Sequence, residues 1–151
     1  MDSLMREALS EFEATLDSLE SLRRFVADFM RSAHLSEDLI YNFEISVDEH
    51  AVNLIEHAFQ SLPGHMLTVI CRDDDSKSQV IIVDNSEGFD PRNYSVPDVE
   101  GTAIYELPPG GFGNYFICTL MDDVEYIHRP FIKNELILTV YKHQADQATA
   151  R

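Results

Sequence analysis

The 151-residue chain has no tryptophan and only two cysteines, Cys71 and Cys118. The missing tryptophan leaves aromatic bulk to nine Phe and six Tyr. The cysteines lack metal-ligand spacing and a secretory context, so neither a disulfide framework nor a thiolate zinc site is expected. They read as reduced, buried packing residues. Positive charge is scarce as well: eleven Lys and Arg stand against twenty-seven Asp and Glu, a formal net charge of -16. That balance repels phosphate backbones and anionic membrane surfaces, which argues against nucleic acid or membrane as a partner. No apolar run approaches the roughly 18 residues of a membrane span. The opening MDSLMREALSE has neither the basic start nor the apolar centre of a secretory signal. A cytoplasmic location is therefore expected.

Hydrophobic residues make up 44% of the chain, enough for a real core, and the length suits one domain spanning 1–151. Residues 9–14 allow a short strand or a lead-in. Residues 17–32 carry Leu19, Leu22, Val26, Phe29 and Met30 at helical spacing, with Asp17 and Glu20 placed like a capping box. A second helix is expected over 37–59, with Phe43, Val47, Ala51, Leu54 and Ala58 forming its buried stripe. Strands follow at 66–72 and 79–84 around the turn DDDSKS, which lacks the ligand spacing of a calcium loop. A Gly-, Pro- and Asp-rich stretch then runs to residue 113, with a lid at about 91–109, a length that usually marks a functional loop. A helix at 114–121 and strands at 123–128 and 134–142 complete the pattern, with a frayed tail after them. Helices first and hairpin-connected strands after predict an α+β, two-layer sandwich: helices on one face of a mostly antiparallel mixed sheet.

Three constellations carry chemistry. In FEISVDEHAVNLIEHAF, Glu49 and Asn53 lie one helical turn apart, so they can address one small object. A carboxamide oxygen suits Mg²⁺, and a nearby carboxylate can hold a water or take a hydroxyl proton; a solvated helix flank fits the same spacing. His50 and His57 are seven residues apart, roughly 10 Å along the axis, too far to share a metal unaided. In QVIIVDNSEGFDP, Asp84 ends a hydrophobic strand where it can accept from an exocyclic amine, and Gly88 permits close approach or positive φ. An ordinary Asx-type turn would look alike. In PPGGFGNYFICTLM, Gly110, Gly111 and Gly113 run into a helix, gathering free N–H groups at its positive end. A plain helix lead-in is the alternative.

Taken in order, these stretches resemble the GHKL (Bergerat-fold) ATPases, and among them the anti-sigma-factor serine-protein kinases of bacterial partner-switching systems. VDEHAVNLIEHAF is similar to that family's N box, DNSEGFDP sits at its first glycine box, and GGFGNYFICTLMDDVEY resembles its second. The resemblance spans roughly residues 17–142. It implies an ATP- and Mg²⁺-binding domain, with Asn53 on the metal and Glu49 as the catalytic residue that activates the attacking hydroxyl. It also implies Asp84 on the adenine amino group, Ser86 and Gly88 in the same turn, and Gly110, Gly111 and Gly113 on the phosphates. Two positions depart from the pattern. Ser86 replaces a usual Gly, where it can crowd the adenine or bond beside it, and Asn114 replaces a usual Leu. Arg92 is the one fixed cation of the lid.

The implied function is a serine-protein kinase that phosphorylates an anti-sigma-factor antagonist and sequesters a sigma factor, and the resemblance suggests a homodimer through the first helix and sheet edge. A second reading keeps the fold without the chemistry: a non-catalytic switch that works by binding partners alone.

Overall fold

The computed structural model describes residues 5–93 and 113–142. The chain opens with strand β1 (Arg6–Glu13) and a 3₁₀ turn at Leu16–Ser18 leading into helix α1 (Leu19–Ser32). Helix α2 (Glu37–Asn53) follows, then β2 (Met66–Asp73), β3 (Lys77–Asp84), helix α3 (Gly113–Leu120), β4 (Asp123–Ile127) and β5 (Asn134–Tyr141). The five strands form one sheet in the order β1-β2-β3-β5-β4. All four pairings are antiparallel, so within the described residues the sheet is antiparallel throughout and not mixed.

Both predicted helix stripes pack on the core, with Leu19 and Ala58 at their ends only partly buried. Leu22, Val26, Phe29 and Met30 of α1 meet Phe43, Val47, Ala51 and the following Leu54 in one core with strand residues Leu67, Val69, Val80, Ile82, Leu136 and Leu138. Each large side chain buried this way contributes about 1.5–3 kcal/mol. The strand residues on that face alternate with others on the opposite one, where no helix lies among the described residues. There Leu9, Ile70, Ile81 and Ile137 stand side by side across β1, β2, β3 and β5.

Helix α2 starts where its cap predicts. Ser36 Oγ accepts from Leu39 N–H at 3.2 Å, and Glu37 and Asp38 occupy the positive end. Its end differs from the single helix expected over 37–59. Regular α geometry stops at Asn53, and Leu54–Ala58 form a π turn, with Phe59 N–H donating to Leu54 O at 2.8 Å. A wider turn inserted here shifts the face presented after Asn53, an arrangement often found at functional sites. The DDDSKS turn is an Asx turn: Asp74 Oδ1 accepts from Ser76 N–H, Ser76 Oγ and Lys77 N–H, which hold its carboxyl below the ordinary range. Cys71 is buried as expected, but Cys118 is only half-buried.

Candidate functional site

A cleft of about 440 Å³ opens between the end of α2, the turn after β3 and the start of α3. Its walls are Asn53, His57, Ala58, Glu87, Gly88, Phe89 and Asn114. That volume suits a small organic ligand. The sequence-predicted residues Asn53 and Gly88 are thus brought together across one opening, with the departing residue Asn114 beside them.

Asp84 and Ser86 lie behind the cleft wall, each 3% exposed. The two carboxylate oxygens of Asp84 are treated differently. Oδ1 accepts from Ser86 N–H (2.9 Å), Ser86 Oγ (2.6 Å) and Asn134 Nδ2 (3.1 Å). Oδ2 is buried with no hydrogen-bond partner among the described residues. An orphaned buried carboxylate oxygen is costly unless a donor fills it. The donor set around Asp84 therefore fits a ligand that brings its own N–H, as an exocyclic amine does. Ser86 does not crowd the opening: its hydroxyl turns back into the turn, donating to Asp84 and accepting from Gly88 N–H at 3.0 Å.

Gly88 has φ +107, and a Cβ there would meet His128 Nε2 at 2.5 Å and Tyr126 Oη at 2.8 Å. The missing side chain serves this packing as well as the backbone conformation. Phe89 N–H donates to Tyr126 Oη (2.9 Å), and His128 Nε2 donates to Glu87 O (2.7 Å). Burial pushes the Tyr126 phenol up to about 12.

Glu49 sits one turn before Asn53 on α2 but is not among the cleft's wall residues. Burial, then the neighbouring charge of Asp48, raises its carboxyl above the ordinary range, the direction that suits a proton acceptor near neutral pH. Arg92, read as the lid's cation, is engaged with Asp90 through Nε and Nη2 at 2.8–3.2 Å. Burial opposes the charge of Asp90, yet the Arg92 contacts hold its carboxyl below the ordinary range. Gly113 begins α3, while Gly110, Gly111 and lid residues 94–109 lie outside the described residues.

Sequence reasoning missed Asn134, His57 and Phe89. Asn134 is fully buried at the start of β5, and its Nδ2 also donates to Ser86 O (2.8 Å) while its Oδ1 accepts from Arg129 N–H (3.0 Å). An Asn opening the apolar-alternating strand NELILTVY is disfavoured there, and that was the available signal. The rings of His57 and Phe89 stack with centroids 6.1 Å apart and planes 19° apart, an aromatic pair on the cleft wall.

Residues 12–140 match the family model of the histidine kinase-like ATPase domain. The chain belongs to that family. Histidine kinase-like ATPase relatives include the serine-protein kinase RsbW of Bacillus cereus strain AH187, 27% identical over 110 residues, covering 71% of this chain and 68% of that protein. The serine-protein kinase RsbW of B. cereus strain Q1 is 30% identical over 94 residues, 60% of this chain and 58% of that protein. The match thus spans 58–68% of these relatives' length. The crystal structure of the RsbU and RsbW domains of Rv1364c from Mycobacterium tuberculosis superposes with a TM-score of 0.62 at 12% identity, covering 89% of this chain and 31% of that one. That likeness supports the ATPase fold described above.

Proposed function

We propose that this histidine kinase-like ATPase domain is an ATP- and Mg²⁺-dependent serine-protein kinase of the anti-sigma-factor type. It phosphorylates an anti-sigma-factor antagonist and sequesters a sigma factor in the cytoplasm, as a single domain over 1–151 with residues 91–109 as its lid. The observation that carries the nucleotide part is the buried Asp84 carboxylate, with one oxygen saturated by the protein and the other left for a donor, behind a cleft walled by Asn53 and Gly88. The relatives named as serine-protein kinases support the protein substrate. A sigma factor, an antagonist and a homodimer are carried by the family resemblance alone.

In this reading Asp84 takes the adenine amino group, with Ser86 and Asn134 holding its other oxygen. Asn53 offers its carboxamide oxygen to Mg²⁺, which neutralises phosphate charge when bound. Gly110, Gly111 and Gly113 supply backbone N–H groups to the phosphates. Glu49 accepts the proton of the attacking serine hydroxyl, and its raised pKa favours that duty.

A second reading, the non-catalytic switch, draws on one observation: Glu49 does not line the cleft. Calorimetric titration of ATP with Mg²⁺ and then with EDTA separates the two. Under the kinase reading the wild type binds more tightly with Mg²⁺, and Asn53→Ala loses the Mg²⁺-dependent part. Glu49→Gln should keep nucleotide affinity while slowing transfer to the antagonist by roughly 10²-fold or more. Absence of any ATP binding at millimolar concentration would leave the switch.

A further inference from the structure

Asn114 occupies the cleft wall without a duty in the reading above. It is the second residue of α3, and its side chain meets that of Asn53, 61 residues earlier, at the end of α2. Asn53 Nδ2 donates to Asn114 Oδ1 at 2.9 Å, and both residues line the cleft. A carboxamide has a donor end and an acceptor end, and a hard divalent cation takes only the oxygen. An Asn53 amide free to turn over would present its NH₂ to the cation part of the time. Donation to Asn114 engages the nitrogen and leaves the oxygen as the ligand-capable atom.

We propose that Asn114 is a positioning residue for the divalent cation: it fixes the sense of the Asn53 carboxamide so that the oxygen is offered to the metal. This rests on the reading of Asn53 as the cation's ligand. Partners that orient a metal ligand typically account for 10- to 100-fold in metal affinity. The substitution at the second glycine box is then an outer support for the metal and not damage to the phosphate site.

Two amides can pair in either sense, and two variants distinguish them. Asn114→Asp offers only acceptors at neutral pH, so it must hold Asn53 in the donating sense. Asn114→Leu keeps similar volume with no acceptor, and Asn114→Ala repeats the deletion should the leucine disturb α3. The measurement is titration of the full chain with Mn²⁺ in the presence of ADP, free Mn²⁺ being read by electron paramagnetic resonance. Calorimetric ADP titration in EDTA runs beside it.

The expected result is Mn²⁺ affinity weakened about tenfold or more in Asn114→Leu and Asn114→Ala. Asn114→Asp should stay within about threefold of wild type or bind tighter, and ADP affinity in EDTA should not change in the Leu and Ala variants, which add no charge beside the phosphates. Equal loss in the Asp and Leu variants, a loss that persists in EDTA, or no loss at all would make Asn114 a packing or nucleotide contact and overturn the inference. Failure of the Asn53 reading looks different: Asn53→Ala would then bind Mn²⁺ as the wild type does, or the wild type would bind none.

Discussion

His50 is sealed inside the core on α2, with no exposed surface and no hydrogen-bond partner for either ring nitrogen among the described residues. Burial pushes its pKa from 6.5 down to about 4, against the opposing pull of Asp84 and Asp90, so the folded protein holds a neutral imidazole. The sign of the consequence is fixed. Between pH 6.5 and about 4 the unfolded chain binds a proton that the folded one refuses, so stability falls as pH drops through that window. The whole window corresponds to a loss on the order of 3 kcal/mol. Urea midpoints at pH 7, 6 and 5 should show the slope, and His50→Leu should flatten it. An equally steep slope in that variant would assign the acid sensitivity to other groups. The sequence set His50 and His57 apart as unable to share a metal. The structure gives the reason two different forms: His57 stacks on Phe89 at the cleft, and His50 is core.

Between elements, Asn134 is the joint. From the first position of β5 its amide reaches Asp84 and Ser86 at the end of β3 and receives Arg129 N–H from the β4–β5 turn. Phe131 N–H also donates to Ser86 O at 2.8 Å. Asn134→Ala removes three bonds, one of them to a carboxylate, and two of the partners, Asp84 and Ser86, are buried. A loss of about 2–4 kcal/mol is expected, measured by urea unfolding at pH 7. A loss below about 1 kcal/mol would mean that the turn after β3 holds itself without the joint. The same contrast explains what the sequence disclosed. The α1 and α2 stripes and the alternation of β5 were legible because each repeats within one element. The lead-in at 9–14 gave no firm strand because β1 carries Glu7, Glu11 and Glu13, and its pairing partner β2 lies more than fifty residues on. The π turn after Asn53 depends on backbone bonding that leaves no periodic trace. Asp84, Gly88 and Asn53 were readable from local motifs. Asn134, Tyr126 and His128 act through bonds that span 37 to 50 residues, which no local motif records.

Across the whole molecule, charge prevails. At a formal -16 the folded chain repels itself, and acids lie along both edges of the sheet: Glu7, Glu11 and Glu13 on β1, Asp123 and Glu125 on β4. Several of its ion pairs, such as Arg24–Glu20 and Arg31–Glu37, are exposed and contribute little. Raising NaCl from 50 to 500 mM weakens the repulsion more than it weakens such pairs, so stability should rise by about 1 kcal/mol, a gain of roughly 2–4 °C in Tm. Scanning calorimetry checks this; a falling Tm would show attraction outweighing repulsion. The turn at 84–89 and the segment at 126–134 also form one interlocked unit, since His128 and Tyr126 fill the space that Gly88 leaves and Asn134 closes the other side. Changes there cannot accumulate singly: a residue tolerated at 86 or 88 depends on what stands at 126, 128 and 134. Anyone redesigning the cleft at this turn would have to exchange both segments together, as one cassette.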